Sequence, residues 1–96
     1  VDRCAFIGNA ADDLEFNAPR AQMSNVTVKN SRFSANLSVS AGAGFGIGLA
    51  NVQTATIAHN TFDGYGREPI HIEDRSHNVL VEDNVFTRSF TTEASY

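Results

Sequence analysis

Tryptophan is absent from this 96-residue chain, and cysteine, methionine and lysine occur once each. One cysteine rules out an internal disulfide framework. Seven basic residues stand against eleven acidic ones, for a net charge of −4. With no basic run either, nucleic acid and anionic membrane are excluded as main partners. No apolar stretch approaches the roughly 18 residues of a membrane span. No segment keeps helical periodicity over the roughly ten residues a helix needs. No signal peptide is visible, and the length limits the chain to one domain.

What is present is one phrase, repeated. Val28-Lys-Asn-Ser31-Arg-Phe33, Ile57-Ala-His-Asn60-Thr-Phe62 and Val81-Glu-Asp-Asn84-Val-Phe86 share a pattern, and Val1-Asp-Arg-Cys4-Ala-Phe6 is a degraded copy. Successive phenylalanines are 27, 29 and 24 residues apart. A unit of that size cannot bury its own apolar face and must stack on neighbours. The chain opens inside a copy, so residues 1–96 are expected to form a single partial domain lacking one or both end caps.

Each unit reads as three short strands. Val26-Thr-Val28, Ala55-Thr-Ile57 and Val79-Leu-Val81 alternate with period two and favour β-branched residues. The phenylalanines mark a second strand. Leu14-Glu-Phe16, Ile47-Gly-Leu49 and Ile70-His-Ile72 form a third set. The pattern predicts an all-β fold, a parallel solenoid of about three to four coils, with coils about 4.8 Å apart. Val28, Ile57 and Val81 then form one inward column, the phenylalanines a second, and Phe16, Leu49 and Ile72 a third. Asn60 and Asn84 fall at a bend, where an inward amide can satisfy backbone groups. Ser31 and Cys4 hold the same place as small buried residues, so the ladder should weaken toward the N-terminus. His59 aligns with Asn30 and Asp83 at a solvent-facing bend, and His77 is placed in a turn. Asn25 and Asn36 begin glycosylation sequons. Leu37 and Val39, in the longest connection, alternate with serines as an edge strand would.

The hydrophobic-x-x-Asn-x-Phe phrase resembles the repeat of the right-handed parallel β-helix, pectate-lyase-like superfamily. That resemblance covers Val1 to about Phe90. It implies a right-handed coil and, in many members, a polysaccharide or oligosaccharide lying in a groove along one sheet. It is compatible with a glycoside hydrolase, a polysaccharide lyase (with Ca²⁺ as the only implied cofactor) or a non-catalytic solenoid. The last would be a phage tailspike, tail fibre or surface stalk. An extracellular, cell-surface or virion-associated location follows, with stacking on further coils or on another subunit. Compared with polygalacturonases, Asp12-Asp13 matches an aspartate pair. Phe45 stands where they carry a histidine, and His71 and Glu73 stand where they carry arginine and lysine.

The third strand set carries the outward residues worth testing. With Leu14 and Phe16 inward, Asp13, Glu15 and Asn17 point out. Gly46, Gly48 and Ala50 do so on the next coil, and His71 and Glu73 on the third, with Asp74 at the turn. This strip reads as a glycine and alanine floor between polar walls. Small residues let a sugar ring approach the sheet, and carboxylates beside it bond hydroxyls. A histidine near a carboxylate suits acid–base chemistry. The candidate catalytic residues are His71, Glu73 and Asp13. Glu15, Asn17 and Asp74 are candidate substrate contacts. Tyr65 and Arg67 join them at the groove's edge, to stack on a ring and to hold an acidic sugar. Strand geometry puts Glu15 and Glu73 about 12 Å apart. That exceeds the roughly 6.5–9.5 Å of inverting glycosidases. No metal site is expected, since His71, Glu73 and Asp74 cannot converge from one strand.

Overall fold

The computed structural model describes residues 1–9, 11–35, 44–66 and 68–88. The described residues form strands and turns without a helix. The strands are β1 (Ala5–Ile7), β2 (Leu14–Asn17), β3 (Met23–Lys29), β4 (Arg32–Ser34), β5 (Ile47–Ala50), β6 (Val52–Ala58), β7 (Thr61–Asp63), β8 (Ile70–Glu73), β9 (His77–Glu82) and β10 (Val85–Thr87). Every pairing is parallel and joins a strand to its equivalent one repeat away. The three sheets have the orders β1-β4-β7-β10, β2-β5-β8 and β3-β6-β9. The fold is therefore the expected parallel solenoid: three successive sets of strands give one strand to each sheet, and β10 adds a fourth to the first.

Register places the repeated residues on top of one another. Val28 pairs with Ile57 and Ile57 with Val81. Phe16 pairs with Leu49 and Leu49 with Ile72. Phe6, Phe33, Phe62 and Phe86 form a continuous stack, with ring centroids 4.9, 4.8 and 5.1 Å apart and planes within 12°. Parallel rings at this spacing adopt the offset stacking their quadrupoles favour. Val28, Phe33, Ile57 and Phe62 have no exposed surface. Burying each such side chain contributes about 1.5–3 kcal/mol.

The bend beside the phenylalanines shows why the phrase contains an asparagine. Asn60 Oδ1 accepts from Ser31 N at 2.9 Å, and Asn60 Nδ2 donates to Val28 O at 3.0 Å. Asn84 repeats both contacts one coil on, with Asn60 N and Ile57 O, each at 2.9 Å. Each amide thus clamps the backbone of the coil before it. Ser31 is too short to do so. Its hydroxyl accepts from Cys4 N at 3.2 Å and donates to Lys29 O within its own coil. The ladder does weaken toward the N-terminus. Cys4 keeps its place in the row but is exposed, not buried, and its Sγ reaches only Asp2 O. The residue before each of these positions takes a left-handed conformation: Arg3, Asn30, His59 and Asp83 have φ of 54°, 53°, 58° and 53°. That turns the chain at each bend, and it suits Asn30 and Asp83, whose short polar side chains tolerate this backbone. His77 begins β9 instead of lying in a turn, and its Nδ1 is 3.0 Å from Arg75 O.

A second left-handed row was not legible as such. Asn25, Thr54 and Asn78, inside or beside the pairing of β3, β6 and β9, have φ of 59°, 65° and 56°. The sequon at Asn25 therefore coincides with a backbone kink shared by three coils. Asn36, Leu37 and Val39 lie outside the described residues.

Candidate functional site

The outward face of the β2-β5-β8 sheet carries the expected strip. Glu15, Gly48 and His71 are in register, as are Asn17, Ala50 and Glu73. Glu15 and Glu73 are thus two coils and two strand positions apart, as the spacing requires. His71 is the centre of the polar side of this strip. Its Nε2 lies 3.0 Å from Glu73 Oε2, and its Nδ1 lies 4.0 Å from Glu68 Oε2. Nδ1 is buried and has no hydrogen-bond partner among the described residues. Glu68, on the turn before β8, is placed by the sequence with Tyr65 and Arg67 at the groove's edge but without a role, since nothing in its local pattern fixes the direction of a turn side chain.

The glycine row does not form an open floor. Phe45 stacks on the His71 imidazole, with ring centroids 4.3 Å apart and planes at 5°. A Cβ on Gly48 would meet Glu15 Cγ at 3.6 Å and Phe45 Cδ2 at 3.7 Å. Phe45 therefore occupies the space above Gly48. Gly46 does not face outward at all. A Cβ there would lie 2.6 Å from Pro69 O and 2.9 Å from Phe62 Cδ1, so this position stays side-chain-free to let the turn close on the phenylalanine stack.

Two candidate residues have structural partners. Tyr65 is 2% exposed and packs edge-on against Phe62 at 6.2 Å, so it cannot stack on a sugar. Its hydroxyl donates to Asp13 Oδ2. Asp13 also accepts from Asn9 Nδ2, and it is half-buried instead of facing a groove. Burial pushes the Asp13 carboxyl above its ordinary range, against the opposing hydrogen bonds from Tyr65 and Asn9. Burial, with the Asp13 contact, raises the Tyr65 hydroxyl far beyond its usual value. Asp12 Oδ1 accepts from Phe45 N at 2.8 Å, which ties the turn before β5 to the one before β2. The aspartate pair thus secures two turns.

Glu15 and Asn17 are exposed and bond each other at 3.3 Å. Asp74 is exposed in the turn after β8, with φ of 49°. Arg67 lies outside the described residues. The strip runs into a cleft of about 480 Å³ bordered by Asn17, Ala50, Asn51, Asp74 and Arg75. Asn51 forms its floor. It makes the single-residue corner between β5 and β6 with φ of 57°, and its Nδ2 donates to Ala18 O at 2.8 Å and Ala21 O at 3.1 Å. Among the described residues no three His, Cys, Asp or Glu side chains converge as a metal site would need. Glu68 and Glu73 address opposite nitrogens of His71, which keeps them from a common centre.

No curated protein matches the chain, and no solved structure does. One family model does, described as the right handed beta helix region, and it covers residues 1–89. Together with three parallel sheets built from stacked repeats, this shows that the chain belongs to the right-handed β-helix family.

Proposed function

We propose that the chain binds a carbohydrate polymer along the outward face of the β2-β5-β8 sheet and that His71, paired with Glu73, performs acid–base chemistry on it. The observation that carries this reading is the imidazole held between two carboxylates, 3.0 Å from Glu73 and 4.0 Å from Glu68. Nδ1 is buried on the Glu68 side, so the edge of the pair that can pass a proton to a bound polymer is Nε2 with the exposed Glu73 carboxylate. Glu15, Asn17 and Asp74 supply hydrogen-bonding groups along the same strip, and Phe45 fixes the ring plane from below. Asp13 is left out of the catalytic set, because its carboxyl is committed to Tyr65 and Asn9. Whether bond cleavage is hydrolytic or eliminative is left to the product: an unsaturated sugar end marks a lyase, for which calcium is the cofactor to add. An extracellular, cell-surface or virion location goes with this substrate class.

The test is turnover and binding on a panel of polysaccharides. His71→Ala and Glu73→Gln should each lower turnover about 100-fold or more, the usual scale of a lost acid or base. Binding should fall far less. Full activity in both variants would sink the assignment. The second reading is a non-catalytic solenoid. It is favoured by the use of Asp12, Asp13 and Tyr65 in turn packing, which leaves one acid–base pair. Binding to no glycan would leave that reading standing.

A further inference from the structure

Where the chain turns from the β2-β5-β8 sheet into the β3-β6-β9 sheet, a second cleft of about 290 Å³ opens. It is bordered by Arg20, Ala21, Gln22, Asn51 and Arg75. It shares Asn51 and Arg75 with the larger cleft at the end of the strip. Two arginines and two amide-bearing residues border it, and no acid does. Among the described residues, neither guanidinium forms an ion pair. Arg88, by contrast, takes Asp63 in a two-pronged contact.

Two like charges bordering one small space repel, and nothing in the coil stack requires them to share it. Arg20 sits in the connection between β2 and β3, and Arg75 in the turn between β8 and β9. They come from coils two apart, with Asn51 on the coil between them, and border the same cleft. Its amide bonds to Ala18 O and Ala21 O hold the Arg20 connection in place. Arg75 is set by a left-handed backbone at φ of 57°. Guanidinium groups bind carboxylate and sulfate oxygens in paired, planar contacts.

We infer that Arg20 and Arg75 form an oxyanion subsite that receives a carboxylate or sulfate ester carried by the polymer on the adjoining strip. The inference rests on the reading given under Proposed function and narrows it to an acidic glycan. Asp74 borders the larger cleft but not the smaller. Its charge disfavours an anion beside Asn17 and directs it toward the arginines.

The experiment has two parts, so that the subsite and the glycan reading fail separately. Inorganic sulfate and acetate are titrated into the isotopically labelled chain while the Arg Nε–H signals are followed. Arg20 and Arg75 should shift together and saturate, and Arg3 and Arg32 should not. Absence of a selective shift overturns the subsite without requiring any variant to fold. Next, binding is measured for three oligosaccharides of equal length: a uronic acid chain, a sulfated chain and a neutral one. Arg20→Gln and Arg75→Gln should each weaken the preferred charged ligand about tenfold or more, the scale of a lost charge-assisted hydrogen bond. They should leave the neutral ligand unchanged. The uronate and sulfate arms identify which oxyanion is used. Equal binding of neutral and charged chains overturns the subsite while the glycan reading survives. Selective ion shifts with no oligosaccharide bound at all would overturn the glycan reading and the polymer-borne ligand with it.

Discussion

The inward columns and the outward strip of this molecule are built on the same coils but obey different rules. Inside, Phe33 lies under Phe62, Val28 under Ile57 and Ser31 under Asn60. Each position is filled by a near copy of its neighbour, because the residue one coil away supplies the surface it packs on. Outside, Glu15, Gly48 and His71 share a row and have nothing in common. Repetition marks what stacking requires. Departure from it marks where stacking leaves the residue free and some other demand has set it.

The sharpest test of the columns is a cavity in the middle of one. Phe62 has no exposed surface and touches rings on both sides, whereas Phe86 is 40% exposed at the end of the same stack. Phe62→Ala should cost about 3–5 kcal/mol, the usual range for a buried phenylalanine. Phe86→Ala should cost clearly less, since a large part of its surface stays in water on folding. Denaturant midpoints of the two variants give the comparison. Equal losses would mean that the end of the stack is covered as fully as its middle.

Next in size is the amide ladder. Asn60→Ala removes the acceptor for Ser31 N and the donor for Val28 O, both inside the bend. Leaving two buried backbone groups unsatisfied costs about 1–3 kcal/mol for each, offset in part where water enters. Ser31→Ala loses only a serine hydroxyl bonded to Cys4 N and Lys29 O, at the weaker end of the ladder. It should therefore destabilise less than Asn60→Ala. The order of the two thermal midpoints checks this, and a reversed order would place the ladder's strength elsewhere.

The inward half of the fold was legible because period and register carry it. Once the phenylalanines were aligned, Val28, Ile57, Asn60 and Asn84 had only one place to go. The site was less legible because its decisive side chains come from turns. Nothing periodic says that Phe45 will fold over Gly48, or that Tyr65 will turn inward onto Phe62 and hold Asp13. Gly46 looked like part of a floor because strand alternation was extended one residue beyond the start of β5. Its real constraint is the closeness of Phe62 and Pro69. Glu68 and Asn51 matter through a contact and a corner that no spacing announces.

Not every departure from the repeat is functional, and Thr54 tests where the rule stops. It shares its kink with Asn25 and Asn78, all with positive φ, but it is β-branched and exposed. A left-handed backbone costs an ordinary residue about 1–2 kcal/mol, while asparagine adopts it readily. Thr54→Asn should therefore stabilise the chain by about 1 kcal/mol, seen as a raised denaturant midpoint with an unchanged slope. A loss of stability would show that the threonine side chain makes a contribution that outweighs its backbone strain.

The smallest expected effect is at a contact between coils that faces solvent. Arg88 and Thr87 donate to Asp63 from one coil away, and the Arg88 guanidinium is the main cause that holds the Asp63 carboxyl down at about 2. Its folded-state value lies below the ordinary 3.8, so the contribution is fully present above about pH 4. It fades as the pH falls toward 2, where the folded-state carboxyl takes up its proton. Solvent and salt screen so exposed a pair, so the change should be modest beside the losses at Phe62 and Asn60. Stability measured from pH 5 down to pH 2 should fall more steeply in the parent chain than in Asp63→Asn, which cannot titrate there. If the two curves run parallel, the pair contributes nothing, and cohesion between these coils comes from the inward columns alone.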